Sequence, residues 1–168
     1  MGGTPDASVD FVLGVNDIVD EGTGPAIRIT EVAPWASGDS PVGFDWFEIT
    51  NFSDAAVDVA GWRVDDSSNS FASSVALNGV GSVAAGQSVL FLNTADLAQG
   101  SAAFIDTWFG GQAPQGIVFG SYDGSGIGLS TGGDAINLFN AAGDVMANVA
   151  FGVATGAPAL ATFDNADG

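Results

Sequence analysis

Short runs in which every second residue is apolar dominate this chain, and clusters of glycine, asparagine, aspartate and serine separate them. In residues 26–32, Ile27 and Ile29 alternate with polar neighbours. An alternation of period two places the apolar side chains on one face of a strand, and the polar clusters are typical of turns. The pattern predicts an all-β chain with about seven short strands.

Strands of this kind cannot bury their apolar faces singly, so the predicted fold is a sandwich or a barrel. We expect Trp46 and Trp62 to lie in its core, with a place at its edge as the alternative for one of them. The continuous apolar run within 88–93 predicts a strand that is buried on both faces. Further strands are predicted over 45–51, 57–64 and 117–120, and a hairpin is predicted over 135–140 and 144–151.

The segment around residues 95–110 departs from the strand pattern, because its apolar residues fall at helical spacings. Thr94 is the predicted N-cap, and Gly100 interrupts the apolar spacing. The segment therefore predicts one or two short helices in a connection between strands, ending near Gly110.

The charge balance excludes several classes of function. The 168 residues include 20 acidic and 2 basic side chains, giving a formal net charge of −18, with no histidine and no cysteine. Nucleic-acid binding needs clustered lysine and arginine, and an anionic lipid surface would repel the chain. No apolar run approaches the roughly 20 residues that span a membrane. Zinc fingers, thiol nucleophiles and Ser-His-Asp triads are excluded as well.

One acidic loop has the spacing of oxygen ligands for a hard metal. Asp65, Ser67 and Asn69 alternate along the chain, and Asp66 lies between the first two. Alternating oxygen donors begin a calcium loop, although the glycine and the bidentate glutamate of an EF-hand are missing here. The loop predicts weak calcium binding, with an ordinary polar loop as the alternative, and no other cofactor is predicted.

Several aromatic residues are predicted to lie in or near loops. Aromatic faces beside aspartate and asparagine form binding surfaces for sugars and for proteins. We therefore predict that a protein or glycan partner binds some of these rings, with core packing as the alternative for each. The candidates are Trp35, Phe44, Trp108, Phe109 and Tyr122.

Asp45 and Glu48 lie three residues apart on one predicted strand. This spacing places the two carboxylates on opposite faces, so they cannot form a close catalytic acid pair. We expect Glu48 to accept hydrogen bonds from a neighbouring element or to pair with Arg28 or Arg63.

Several motifs occur together in a specific order over residues 26–152. They are IRITEV at 27–32, DWFEITN at 45–51, AVDVAGWRVDD at 56–66, AAGQSVL at 84–90, GLSTGGDAINL at 128–138 and AGDV at 142–145. In this order they resemble the bacterial form of the lamin tail domain, an immunoglobulin-like β-sandwich. The resemblance implies that fold for residues 26–152.

The resemblance also implies a function without catalysis. It implies an interaction, adhesion or spacer module of a secreted or cell-surface bacterial protein, with no catalytic residues in this chain. Two alternatives stay open: a metal-dependent hydrolase that uses aspartate and glutamate, and a structural subunit of a surface assembly. The oligomeric state is also open.

The remaining segments flank the predicted domain. Residues 1–25 are expected to form an N-terminal extension or an additional strand, because apolar residues alternate there as well. Residues 153–168 are expected to be a C-terminal segment that leads into a further part of a longer protein.

Overall fold

The fold is known from a computed structural model. It describes residues 26–34, 42–123, 126–154 and 162–165, which contain eleven strands and a single helix. The N-terminal strand predicted within residues 1–25 lies outside these ranges. In chain order the elements are β1 (Ile27–Ala33), β2 (Trp46–Asn51), β3 (Val57–Asp58), β4 (Arg63–Asp65), β5 (Val75–Ala76), β6 (Ser82–Val83), β7 (Ser88–Asn93), α1 (Leu97–Phe109), β8 (Phe119–Tyr122), β9 (Asp134–Phe139), β10 (Val145–Phe151) and β11 (Phe163–Asp164).

Two sheets form the body of the domain. The first sheet is five-stranded, in the order β11-β1-β2-β7-β8, and the second is four-stranded, in the order β10-β9-β4-β5. A small third sheet pairs β3 with β6. The apolar faces of the two larger sheets pack against each other, which confirms the predicted all-β sandwich.

The core between the sheets consists of apolar side chains from the inward faces of the strands. Trp62 is 4% exposed there, which confirms its predicted place in the core. Aromatic rings meet at the centre, where Phe47 lies 5.5 Å from Phe91 between ring centroids. The most deeply buried members also include Ile29, Ile49, Val64, Ile136 and Leu138.

Strand β1 contains a β-bulge that decides which of its side chains face the core. Ile29 pairs with Ile49, but the next pair is Glu31 with Glu48, so Thr30 is the extra residue. Because of this extra residue, Val32 points into the core three positions after Ile29. Glu31 consequently lies on the outer face of the first sheet, directly opposite Glu48.

Strands β7 and β8 run parallel, unlike the other paired strands of the described residues. A parallel pair needs a crossover connection, and α1 provides it by packing on the outer face of the first sheet. Trp46, Leu90, Leu92 and Phe104 form a second apolar cluster under this helix. The cluster confirms that 88–93 is buried on both faces, and it places Trp46 outside the space between the sheets.

Helix α1 is a single helix and begins two residues later than predicted. Its N-cap is Asp96, whose side chain accepts a hydrogen bond from the backbone N–H of Gln99 at 3.0 Å, so the prediction of Thr94 was wrong. The helix continues through Gly100, where a β-carbon would lie 2.9 Å from the Thr94 methyl group. It ends at Gly110 in the left-handed conformation, as predicted.

Two strand predictions need correction. The predicted strand over 57–64 is split into β3 and β4 by a turn at Gly61, whose φ of 75° suits glycine. The strand predicted over 117–120 lies two residues further along, as β8. The predicted hairpin of β9 and β10 is confirmed.

Strand β11 was not predicted from the sequence. It extends the first sheet by pairing Asp164 with Glu31 and Phe163 with Val32. The Phe163 ring packs 5.1 Å from that of Phe151. Part of the C-terminal segment therefore belongs to the sandwich.

Candidate functional site

A groove of about 490 Å³ lies beside α1 on the outer face of the first sheet. We call it the outer groove. Side chains of α1 form one wall, the turn before β7 and the segment before β8 contribute others, and β1, β2 and β7 contribute the floor. Its lining consists of Glu31, Trp46, Glu48, Gly86, Gln87, Ser88, Leu90, Phe104, Trp108, Phe109, Pro114, Gln115, Gly116, Ile117 and Val118.

The register of the strands gives the groove one apolar end and one acidic end. Trp46 is paired with Leu92, and both lie under α1. Two residues further along β2, about 6.6 Å away, Glu48 pairs with Leu90 on one side and with Glu31 on the other. The groove therefore runs from aromatic rings to two neighbouring carboxylates.

The aromatic end is held by edge-to-face contacts. The Trp46 ring lies 5.1 Å from Phe104 and 6.1 Å from Trp108, with interplanar angles of 84° and 87°. Such contacts fix the rings in defined orientations. Trp108 is half-buried, and Phe109 at the end of α1 is 39% exposed, so part of this surface is open to a ligand.

A chain of hydroxyl groups orients the Glu48 carboxylate. Thr30 Oγ1 donates to Glu48 Oε1 at 2.6 Å and lies 3.0 Å from Thr50 Oγ1, which lies 2.7 Å from Ser88 Oγ. Each hydroxyl has one hydrogen, so Thr50 must donate to Thr30 and Ser88 to Thr50. All three hydroxyls thus point their hydrogens toward the Glu48 carboxylate.

Glu31 lies in a less favourable environment. Its Oε1 atom accepts a hydrogen bond from Thr162 Oγ1. Burial raises the pKa of Glu31 above its ordinary value of 4.5, the Thr162 hydrogen bond opposes this rise, and the charges of Glu48 and Asp164 add to it. The fold therefore holds a carboxylate where its negative charge is partly desolvated and repelled.

A third carboxylate, that of Asp164, lies next to the two glutamates at this end of the groove. Glu48, Glu31 and Asp164 lie on three adjacent strands, which are spaced about 4.8 Å apart. Among the described residues, no group of three or more histidine, cysteine, aspartate or glutamate side chains is arranged to hold a metal ion.

Asp65, the first calcium candidate, is fully buried and accepts hydrogen bonds from its own loop. Its carboxylate accepts from the Ser70 backbone N–H at 2.6 Å, from Ser68 Oγ at 2.6 Å and from Ser73 Oγ at 3.2 Å. These bonds fold the loop back onto the end of β4. Protein donors thus occupy both oxygens of this carboxylate.

The other three calcium candidates shape the same loop. Asp66 accepts a hydrogen bond from the Ser68 N–H, Ser67 donates its N–H to Asp134, and Asn69 has a φ of 48°. Their described hydrogen bonds form turns and a link to β9. Calcium binding at this loop stays a prediction.

The aromatic candidates have different locations. Trp35 lies outside the described residues. Phe44 and Trp108 both pack at the cluster under α1, and Trp108 lines the outer groove. These two predicted residues are brought together.

Tyr122 is not in a loop, so the expectation of an accessible ring was wrong. β8 extends through this residue and carries its ring into the core, 5.4 Å from Phe47. Its hydroxyl has no hydrogen-bond partner among the described residues. Burial raises the pKa of Tyr122 well above its ordinary value of 10, and the charge of Asp45 adds to the rise. A fully buried ring cannot stack against a ligand.

Asp45 and Glu48 lie on opposite faces, as predicted. Asp45 is buried and accepts a hydrogen bond from the Leu129 N–H at 2.9 Å. Glu48 faces the outer groove, where its donor is Thr30. Of its two predicted arginine partners, Arg63 instead donates to Ser74, and Arg28 lies 4.5 Å from the Phe52 ring centroid.

Sequence reasoning missed Glu31 as part of this site. A signal for Glu31 was present, because the apolar spacing in Ile27, Ile29 and Val32 changes from two to three. Only a bulge lets all three side chains face the same way. Phe109, one of the predicted aromatic candidates, lines the same groove and is 39% exposed.

The two packed sheets and their alternating core define an immunoglobulin-like β-sandwich. The family model of the lamin tail domain matches residues 21–152, and the chain belongs to this family of non-catalytic immunoglobulin-like domains. The resemblance of the motifs to the lamin tail domain is thereby confirmed. A search of curated proteins found no match. Among the described residues, no helix has the length and apolar character needed to cross a bilayer.

Proposed function

We propose that this domain is a non-catalytic interaction module of a secreted or cell-surface bacterial protein, and that its partner binds in the outer groove. The groove is the observation that carries the proposal. Its volume of about 490 Å³ lies within the range of about 300–1,000 Å³ that is usual for ligand sites. The location outside the cell rests on the resemblance to the bacterial form of the family.

Two properties of the groove favour binding. Its rings and the Glu48 carboxylate are held in place before a ligand arrives, by edge-to-face contacts and by the hydroxyl chain. A surface that is already ordered loses little conformational entropy on association. The mixture of aromatic and charged side chains also gives orientation as well as contact area.

The test compares two exposed phenylalanines. Phe109 lies on the groove wall and is 39% exposed, whereas Phe71 lies outside the groove lining and is 38% exposed. The full chain, Phe109→Ala and Phe71→Ala would be fluorescently labelled and incubated with arrays of defined peptides and defined oligosaccharides. Positive ligands would then be titrated in solution.

We expect at least one ligand to bind the full chain and Phe71→Ala equally and to bind Phe109→Ala about tenfold more weakly. The bound ligand should be recovered chemically unchanged. If no peptide or oligosaccharide distinguishes the two variants, the groove is not the binding site. Conversion of a bound ligand would overturn the assignment as non-catalytic.

A further inference from the structure

We propose that the outer groove binds an arginine or lysine side chain from a basic segment of a partner protein. The charged group would lie at Glu31 and Glu48, and the apolar stem would lie along the aromatic wall. This inference rests on the proposed function, because it names the class of ligand for the same groove.

The acidic end of the groove brings two negative charges together, and a cation bound there would balance them. Glu31 and Glu48 are directly opposed on neighbouring antiparallel strands, which puts their β-carbons about 5 Å apart. Like charges in this position destabilise a sheet. Among the described residues, hydrogen bonds reach only the Oε1 atom of each glutamate. The remaining oxygens are acceptors for a guanidinium or ammonium group.

The rest of the groove suits the body of such a side chain. Arginine and lysine carry apolar stems that pack on apolar surface while the charged group reaches a polar site. Trp108 and Phe109 offer partly open rings beside the carboxylates. A cation near an aromatic face gains a further attraction.

Charge favours a partner protein over the other occupants. The net charge of −18 attracts basic segments over long range and repels a second copy, which offers only two arginines and no lysine. A calcium ion needs six to eight oxygen ligands, whereas this lining is mainly apolar. A neutral glycan would leave the two carboxylates repelling each other.

The experiment uses the full chain and a fluorescein-labelled octa-arginine peptide, with octa-citrulline as its neutral isostere. Binding would be followed by fluorescence anisotropy. Glu31→Gln/Glu48→Gln removes two charges from the groove. Asp54→Asn/Asp123→Asn removes two charges from exposed positions outside the groove lining, so it controls for net charge. Circular dichroism would verify that both variants are folded.

We expect Glu31→Gln/Glu48→Gln to weaken octa-arginine binding by at least about tenfold and Asp54→Asn/Asp123→Asn by less than about twofold. Phe109→Ala should also weaken it, and octa-citrulline should bind poorly. Equal losses in the two double variants would mean unspecific charge attraction and would overturn the inference.

The failure of this inference is distinguishable from failure of the groove as a site. A neutral oligosaccharide such as cellohexaose that binds in a Phe109-dependent but Glu31-independent way would overturn the basic partner and keep the groove. If neither octa-arginine nor any oligosaccharide binds in a way that depends on Phe109, both proposals are overturned.

Discussion

The two faces of the first sheet differ in burial, although they are formed by neighbouring residues of the same strands. On the inner face, Phe47 and Ile49 of β2 are completely buried against the second sheet. On the outer face, Trp46 is buried under α1, but Glu48 remains open in the outer groove. The inner face is closed along its length, whereas the outer face is covered only where the helix crosses it.

This difference separates stability from binding. Substitutions on the inner face should destabilise the fold, because its side chains fill the space between two sheets. The outer face holds two opposed carboxylates that do not favour folding. Groups retained against stability are characteristic of functional surfaces. Mutations on the two faces should therefore have effects of different size and even of opposite sign.

The largest effect is expected at Trp62 in the inner core. Trp62→Ala leaves a cavity between the sheets and should lower the free energy of unfolding by about 3–5 kcal/mol. Denaturant unfolding followed by circular dichroism measures this change. An unchanged midpoint would contradict the description of the inner face as closed.

A smaller loss is expected at Gly120, which lies opposite Phe91 in the parallel pair of β7 and β8. A β-carbon there would lie 2.4 Å from the Phe91 ring and 2.8 Å from the Asn78 carbonyl oxygen. Gly120→Ala should cost about 1–3 kcal/mol through overpacking.

Gly81 is the matched control for this prediction, since nothing lies within 4 Å of its added β-carbon. Gly81→Ala should leave stability unchanged or raise it slightly. Equal unfolding midpoints for the two variants would show that an added methyl group beside Phe91 does not destabilise the fold.

On the outer face, Glu31→Gln should stabilise the protein at neutral pH by about 1 kcal/mol or less. The raised pKa of Glu31 means that the folded state holds its proton more tightly than the unfolded state. Its contribution to stability is therefore present below pH 4.5 and is lost as the pH rises through the folded pKa.

The pH dependence provides the check. The stabilisation by Glu31→Gln should appear at pH 7 and fade below pH 4.5 in thermal unfolding. Asp54→Asn, at an exposed turn, is the control with the same change in charge. A lower midpoint for Glu31→Gln at pH 7 would mean that the carboxylate stabilises the fold.

The smallest effect is expected from calcium at the loop after β4. The Asp65 carboxylate already accepts hydrogen bonds from Ser68, Ser70 and Ser73, so an ion would have to displace them. At a calcium concentration equal to the dissociation constant, the gain is about 0.4 kcal/mol. Thermal unfolding in millimolar calcium should show a small rise that chelator and Asp65→Asn both abolish. No rise would refute calcium binding there.

The sequence predicted most strands and the location of the helix for local reasons. Alternation identified β1, β2 and the hairpin of β9 and β10, and the continuous run in β7 indicated burial on both faces. The N-cap was misplaced because Thr94 and Asp96 are both good caps. In the structure the Asp96 carboxylate accepts from the Gln99 N–H, and the Thr94 hydroxyl accepts from the Asp96 N–H. Tyr122 was misplaced because the end of β8 is set by its pairing with β7.

The sequence by itself determined the all-β class and the family, because these depend on local alternation and on ordered motifs. Only the tertiary structure decided that Glu31 opposes Glu48 and that both carboxylates lie beside the rings of α1. These relations depend on a bulge, on strand order and on a helical crossover, which join residues far apart in the chain. The bulge leaves a local signal in the spacing of Ile27, Ile29 and Val32. The strand order and the crossover are fixed by packing between elements, which no local pattern encodes.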